Sequence, residues 1–468
     1  MEPAGSTFFW PFVVFVLVSP LYKGGNRALA LMLLELAALG LLVALAARGR
    51  AAALAELPRS VLAALAILVG YPLLQLVPLP ATWWRALPGH ADYAAILQGF
   101  APAGVDVARP ISLAPAATEY GLLALLPPVA CLLVVRVLAP AQVVALLSAM
   151  AVFAGVASLL GLLQAGAGGT PLLGEHAAGG PGYATGTYVN RNHFAAMLAM
   201  MLPVFVGLLA YDARRARHRG GRWRDAAANA VARRALLFAS AVLVLLALIL
   251  TYSRAGIATA LAGLALSPLL LARVRSGRGR ANVVVAMLVA AGLGLAAMIG
   301  LTPVLERLEP ATLRMSGEGR VALYAATWRA ALEFLPFGSG LSTFAAVFPR
   351  FQGGVFGGFI DYAHNDYLQL LMELGVAGVA VIALLVFAYA ARMRALLRRR
   401  HVRSFTVIQV AAGIGLVPIA LHSGFDFALH IPANAIWWAT LAGVMLHPGV
   451  PGEPVAAPDS PFVDTAAS

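Results

Sequence analysis

The sequence predicts an all-α fold: a polytopic membrane bundle of about 12 transmembrane helices, with one large outer loop containing short helices. Three observations predict it. Of 468 residues, 61% are hydrophobic and 11% charged, against roughly 25% charged in soluble domains; mean hydropathy is +0.85. Apolar runs close to the ~20 residues that cross a bilayer recur along nearly the whole chain. Ten-residue stretches of alternating polarity are missing, so helices rather than a β-barrel satisfy the backbone in lipid.

In chain order the apolar runs span residues 8–21, 28–47, 61–79, 120–135, 143–163 and 193–211, then 235–251, 255–272, 281–301, 367–389, 405–421 and 431–446. The first lacks a basic segment before it, and Lys23 follows it, so it reads as a retained helix rather than a cleaved signal. With the N-terminus inside, 22 of the 33 Lys and Arg residues fall in inner loops, as the positive-inside rule requires. The opposite orientation puts R-R-A-R-H-R and R-R-R-H-V-R outside. Both ends are therefore expected in the cytoplasm. This bias also accounts for the net charge of +13 and removes the case for nucleic-acid binding. Cys131 is the only cysteine, which excludes an intramolecular disulfide and a thiolate metal site.

This orientation sends the polar motifs to one face. They are Gly186 to Phe194 (G-T-Y-V-N-R-N-H-F), Thr251 to Gly256 (T-Y-S-R-A-G), the loop at 302–364, A-H-N-D from Ala363, and His422 to Pro432. Within the long loop, Arg320 to Leu335 reads as an amphipathic helix, with Val321, Tyr324, Ala325, Trp328, Leu332 and Leu335 on its apolar face. Such a helix suits the outer leaflet or the cover of a cavity. Tyr362, Tyr367, Trp83, Trp84, Trp437 and Trp438 suit interfacial belts. The tail after Pro448, rich in Pro, Ala, Ser and Asp, is expected to be disordered.

Ser253 can cap the helix that follows it, and free N–H groups at a helix start attract anions. Arg254 adds a planar fork matched to phosphate oxygens, although an arginine at a helix end also snorkels. Arg320 follows Gly317-Glu318-Gly319, where glycines permit close backbone approach to a ligand. Arg191 opens the sixth run between Asn190 and Asn192. Together Arg191, Arg254 and Arg320 can hold a diphosphate at the outer leaflet. His364 reads two ways, as a base that takes a proton from a sugar hydroxyl or as a phosphate-binding cation; Asn365 or Asp366 can orient it. Glu373 and Glu35 lie within apolar runs, either lining a cavity or hydrogen-bonded in the bundle. His422, Asp426 and His430 lack metal-ligand spacing, so no metal is assigned.

The spacing His364-Asn365, then Gly375-x-x-Gly378, resembles the bacterial O-antigen ligase and polymerase superfamily. Asn190-x-Asn192, Ser253-Arg254-x-Gly256, Gly319-Arg320 leading to Pro336-x-Gly338-x-Gly340, and His422-Ser423-x-x-Asp426 resemble it in the same order, from about Gly186 to Leu446. The resemblance implies a GT-C-like membrane glycosyltransferase of the bacterial inner membrane that takes a glycan from undecaprenyl diphosphate at the periplasmic face. The acceptor is the lipid A core for a ligase or a second lipid-linked glycan for a polymerase; protein oligosaccharyltransferases share the motifs. No cofactor, metal or nucleotide sugar is implied. The family's essential histidine maps onto His364 and its phosphate-binding arginines onto Arg254 and Arg320, with Arg191 added here. Asn365, Asp366, Ser253, His422 and Asp426 are expected to support them. The chain then divides into N-terminal transmembrane helices (1–185), a catalytic region (186–447) including the periplasmic loop 302–364, and a tail (448–468). A transporter of lipid-linked glycan is the rival class, but internal repeats and midplane polar sites, its usual marks, are not evident.

Overall fold

The computed structural model describes residues 6–49, 56–100, 107–167, 182–217, 224–274, 278–299, 310–353, 358–399 and 404–449. The tail from 450, and residues 302–309 of the long loop, lie outside the described residues. The first half contributes α1 (Ser6–Val18), α2 (Ala28–Ala47), α3 (Arg59–Gln75), α4 (Ala81–Ala86), α5 (Ala91–Gln98), α6 (Pro115–Ala124), α7 (Leu126–Val137) and α8 (Pro140–Gly166). The second half contributes α9 (Arg191–Arg217), α10 (Arg224–Leu250), α11 (Arg254–Arg273), α12 (Arg278–Ile299), α13 (Pro310–Phe334) and two short helices, α14 (Phe344–Val347) and α15 (Pro349–Gln352). It closes with α16 (Asp366–Leu374), α17 (Val376–Leu397), α18 (Ser404–His422) and α19 (Pro432–Leu446). Among the described residues, strand structure amounts to β1 (Pro78–Leu79) paired antiparallel with β2 (Arg109–Pro110).

Eight described segments are long and apolar enough to cross a membrane: α2, the joined α6 and α7, α8, Arg191–Asp212, Asn229–Leu250, α11, α17 and α18. The expected runs at 8–21, 61–79 and 431–446 form helices of 13, 17 and 15 residues, shorter than a full crossing, and the run at 281–301 lies largely within the 22-residue α12. The run at 367–389 is not one helix. It breaks at Gly375, which has φ +57°, and a Cβ there would lie 2.0 Å from the Pro336 carbonyl oxygen. Only glycine fits that turn against the Pro336 segment, so α16 ends and α17 begins there.

The bundle is organised around α9, whose apolar core window is wholly buried within the protein. A helix apolar on every side has no solvated face and belongs at the centre. It packs on α18, α11 and α10. The crossing with α18 is close: a Cβ on Gly207 would come within 2.1 Å of the Ala411 Cβ. Small residues at such contacts let membrane helices gain dispersion energy where lipid supplies no hydrophobic drive. Outside this centre, α19 packs on α7, α10 on α8, α3 on α17 and α13 on α16.

The packing brings the distinctive motifs to one end. Asn434, in the first turn of α19, donates to the His193 carbonyl near the start of α9 (3.2 Å) and accepts from the Tyr188 hydroxyl (3.0 Å). Gln75, at the end of α3, donates to the Phe337 and Glu373 carbonyls at 3.0 Å each. The Pro336–Gly340 turn and the Gly375 turn interlock by bonds from Gly340 N to Glu373 O (3.0 Å) and Val376 N to Pro336 O (3.0 Å).

Two expectations change. Trp437 is fully buried and donates to the Val16 carbonyl at 3.1 Å, and Trp84 is buried with its indole on the Pro110 carbonyl at 2.7 Å. They are core residues; Trp83, exposed, keeps the interfacial reading. The loop helix is longer than expected, so Gly317 and Gly319 are helical rather than loose flanks of Arg320. Its expected apolar face, with Val321, Trp328 and Leu332, faces outward. Leu323, Ala326, Ala330, Ala331 and Phe334 pack inward.

Candidate active site

Two turns face each other at the motif-bearing end. The first, Ala363 to Asp366, leads into α16; the second, Ser423 to His430, joins α18 to α19. Asn365 caps α16, its side-chain oxygen accepting from the N–H groups of Tyr367 and Leu368 at 3.1 Å each. Its amide also donates to the Gly424 carbonyl (3.0 Å), and Asp366 N donates to Ser423 O (2.8 Å). His364 sits in the left-handed region at φ +49°, a conformation that costs a side-chain-bearing residue on the order of 1–3 kcal/mol. The Tyr324 hydroxyl of α13 steadies this turn by donating to the His364 carbonyl at 2.8 Å.

The His364 Nδ1 lies 2.9 Å from Asp426 Oδ1. Asp426 is 1% exposed, and an ionised carboxylate so deep requires several donors. They are present: Phe427 N reaches Oδ1 at 2.9 Å and Asn192 Nδ2 reaches Oδ2 at 2.8 Å. His193 Nε2 stands 3.7 Å from Oδ1, beyond hydrogen-bond distance. Burial pushes the Asp426 carboxyl upward, but His193 and His364 outweigh it and hold it well below the ordinary value of 3.8. Asp426 is therefore an anion in the folded protein. A carboxylate at Nδ1 calls for the N–H on that nitrogen, which in the neutral ring leaves Nε2 as the basic atom. The His364 side chain is one-third exposed.

The arginines ring the same end. Arg191 opens α9, where Asn190 accepts from Asn192 N at 2.8 Å, and its guanidinium lies 4.2 Å from the Tyr183 ring centre. Tyr183 meets Tyr252 edge to face at 5.6 Å. Ser253 caps α11, its hydroxyl accepting from Gly256 N at 3.2 Å. The first turn of α11, which carries Arg254, lies against that of α9, because a Cβ on Gly256 would fall 2.5 Å from the Ala195 Cβ. Arg320 lies one turn before Tyr324 on α13, and its charge acts on both Tyr324 and His422. Cationic forks, helix N-termini and a histidine with a buried carboxylate behind it suit an anionic leaving group and a proton-carrying nucleophile.

Residues 239–383 match the family described as O-antigen ligase. That match, over just under a third of the chain, supports a relationship to the O-antigen ligase and polymerase superfamily. The match includes Arg254, Arg320 and His364, and it stops before Asp426. No curated protein matches the chain. The chain is thus a multi-pass membrane protein carrying an O-antigen ligase family segment.

Seen against this family, the sequence-predicted residues separate. His364 and Asp426 meet directly. Asn365 and Asp366 do not orient His364: the first caps α16, and the second accepts from Leu429 N (3.1 Å) and pairs with His430 (2.5 Å). Proximity in sequence misleads here because the left-handed turn aims the His364 side chain away from its successors. His422 is fully buried, with neither ring nitrogen hydrogen-bonded among the described residues. Glu373 is hydrogen-bonded within the bundle, accepting from Ser342 N (2.7 Å) and Phe344 N (3.3 Å); Glu35 is half-buried on α2. Sequence reasoning gave no role to Tyr324 beyond an apolar face, and none to Asn192 beyond a motif position. The Asn190-x-Asn192 spacing was the available signal for the latter.

Proposed function

We propose that this protein moves a glycan from undecaprenyl diphosphate to an acceptor hydroxyl on the lipid A core, at the periplasmic face of the inner membrane. The twelve-run topology with both termini cytoplasmic belongs to this reading. It is supported by the gathering of the polar motifs at one end while Arg136 and Arg392 lie at the other. The observation that carries the chemistry is the His364–Asp426 pair: Nδ1 is held on a buried carboxylate and Nε2 is left available.

In the proposed reaction the acceptor oxygen attacks the anomeric carbon as its proton passes to His364 Nε2. The bond from that carbon to the phosphate oxygen breaks, and the diphosphate leaves with the electron pair. Arg254, Arg320 and Arg191 balance the charge that develops on it, a role that makes a metal unnecessary in this scheme. A single displacement inverts the anomeric centre. The α13 segment covers the reacting groups.

Purified protein in lipid nanodiscs, given a lipid-diphosphate-linked glycan and lipid A core, tests this. Glycan joined to the core, with the anomeric configuration inverted, is the expected product. Extension of a second lipid-linked glycan instead would make the protein a polymerase. Movement of the donor across vesicles with no sugar joined would make it a transporter and end the transferase reading.

A further inference from the structure

The two facing turns exchange not one His–Asp pair but two, in crossed fashion. His364 of the first turn meets Asp426 of the second at 2.9 Å, and Asp366 of the first meets His430 of the second at 2.5 Å. Among the described residues, only the His364–Asp426 pair leaves its distal nitrogen without a hydrogen bond. The other nitrogen of His430, Nε2, lies 3.2 Å from Gln369 Nε2, and that amide also donates to Glu373 Oε1 at 3.0 Å. With both faces engaged, His430 has no nitrogen for an incoming hydroxyl. It is the junction of three segments: the His364 turn through Asp366, its own turn, and the Ser342–Phe344 segment behind α13 through Gln369 and Glu373. The Tyr362 ring packs on it edge to face at 5.5 Å and stacks on Phe427 at 4.0 Å, the residue whose N–H supports Asp426.

We propose that His430 is a positioning residue for transfer: by holding Asp366 it fixes the register of the two turns that lays Asp426 against His364. The geometry argues for this over simple packing. Asp366 reaches the second turn through both oxygens, one on the His430 ring and one on Leu429 N, whereas Asp426 receives N–H groups from its own turn, from α9 and from His364. Removing the first pair frees the second turn at its far end, three and four residues from Asp426. Misplacement of a catalytic group by about 1 Å can cost on the order of 100-fold in rate. Donor binding has no such dependence, since the arginines sit on α9, α11 and α13.

The inference rests on the proposed glycan transfer, and the test separates the two. Wild type, His364→Ala, His430→Asn, His430→Gln, His430→Phe and Asp366→Asn are compared for donor binding, KM and kcat with the lipid-linked donor. Asparagine places an amide where Nδ1 stood and keeps the donation to Asp366; glutamine places it at Nε2 and loses it. The expected result is a kcat within about threefold of wild type for His430→Asn, and a fall of roughly 10- to 100-fold for the Gln and Phe variants at unchanged KM and donor binding. Asp366→Asn combined with His430→Phe should be no worse than the more impaired single variant, because the two act through one contact. Equal kcat for the Asn, Gln and Phe variants, or a loss confined to KM or to folded yield with kcat intact, overturns the positioning role. Should the Phe variant not fold, the Asn–Gln contrast decides the matter alone. Absence of transfer by wild type would instead strike the proposed function itself.

Discussion

The two ends of the bundle bury similar polar residues and use them differently. At the end away from the motifs, Arg392 donates to the carbonyls of Met445 (2.9 Å) and His447 (2.7 Å), and Gln409 donates to His447 O (2.7 Å). Arg136 donates to Leu446 O and to Glu56 O, and His447 Nε2 reaches Leu138 O at 2.9 Å. Apart from a 3.8 Å contact of Arg136 with the exposed Glu56 carboxylate, these partners are carbonyls. Three of them are the orphaned acceptors at the C-terminus of α19. At the motif-bearing end the acceptors are the buried carboxylates of Asp366 and Asp426, each facing an imidazole. A carbonyl cannot change its protonation state, whereas a histidine held on a carboxylate can take a proton and return it. The first arrangement caps a helix; the second is equipped for chemistry.

Mutations should break this contrast in opposite ways. The largest effect outside His364 belongs to Asp426→Asn, which keeps the shape but removes the carboxylate that fixes the Nδ1 proton. Transfer should fall by up to about 10⁴-fold, the scale seen when the orienting Asp of a Ser-His-Asp triad is so changed, with donor binding retained. Arg254→Lys and Arg320→Lys come next: each keeps the charge and loses the two-pronged geometry. Turnover at limiting donor should drop by roughly tenfold or more, since even one lost charge-assisted hydrogen bond is worth about 1.5–3 kcal/mol. Arg399→Lys, at the other end, should behave as wild type.

Arg392→Met should show the reverse pattern. The Met445 and His447 carbonyls each lose a charged donor and keep only Gln409, at 3.5 and 2.7 Å; a hydrogen bond to a charged group is worth about 1.5–3 kcal/mol. Thermal stability should fall while kcat of the folded fraction holds. A large loss of kcat at intact stability would erase the distinction between the two ends.

The smallest effect is one of pH. Asp426 is held below the ordinary carboxyl value, so its contribution to stability is in place above that value and is lost only as pH falls through the depressed one. The wild-type melting temperature should therefore hold through neutrality and fall in acid, and Asp426→Asn should lack part of that fall.

The site was legible in the sequence to different depths. His364 and the arginines stood out because polar groups are costly beside apolar runs, and their order along the chain resembled a known family. The partner of His364 was not legible, because Asp426 lies 62 positions away while Asn365 and Asp366 are its neighbours. Nothing in composition reveals that a left-handed turn points them elsewhere. The helix break at Gly375 was hidden for a related reason: apolar residues continue across it, and the constraint comes from Pro336, distant in sequence. Trp437 shows the same limit, since an aromatic near a helix start reads as an interfacial anchor until packing buries it. Local pattern supplied the helices; contacts between distant segments supplied the chemistry.

The central claim, that His364 is the base of a glycan transfer and not a phosphate ligand, is tested most directly by His364→Ala and His364→Arg. Transfer at saturating donor is measured beside donor binding for each. The account predicts that both variants bind donor as wild type does and that neither transfers glycan. Transfer restored by arginine, or donor binding lost on changing His364 to alanine, would contradict it.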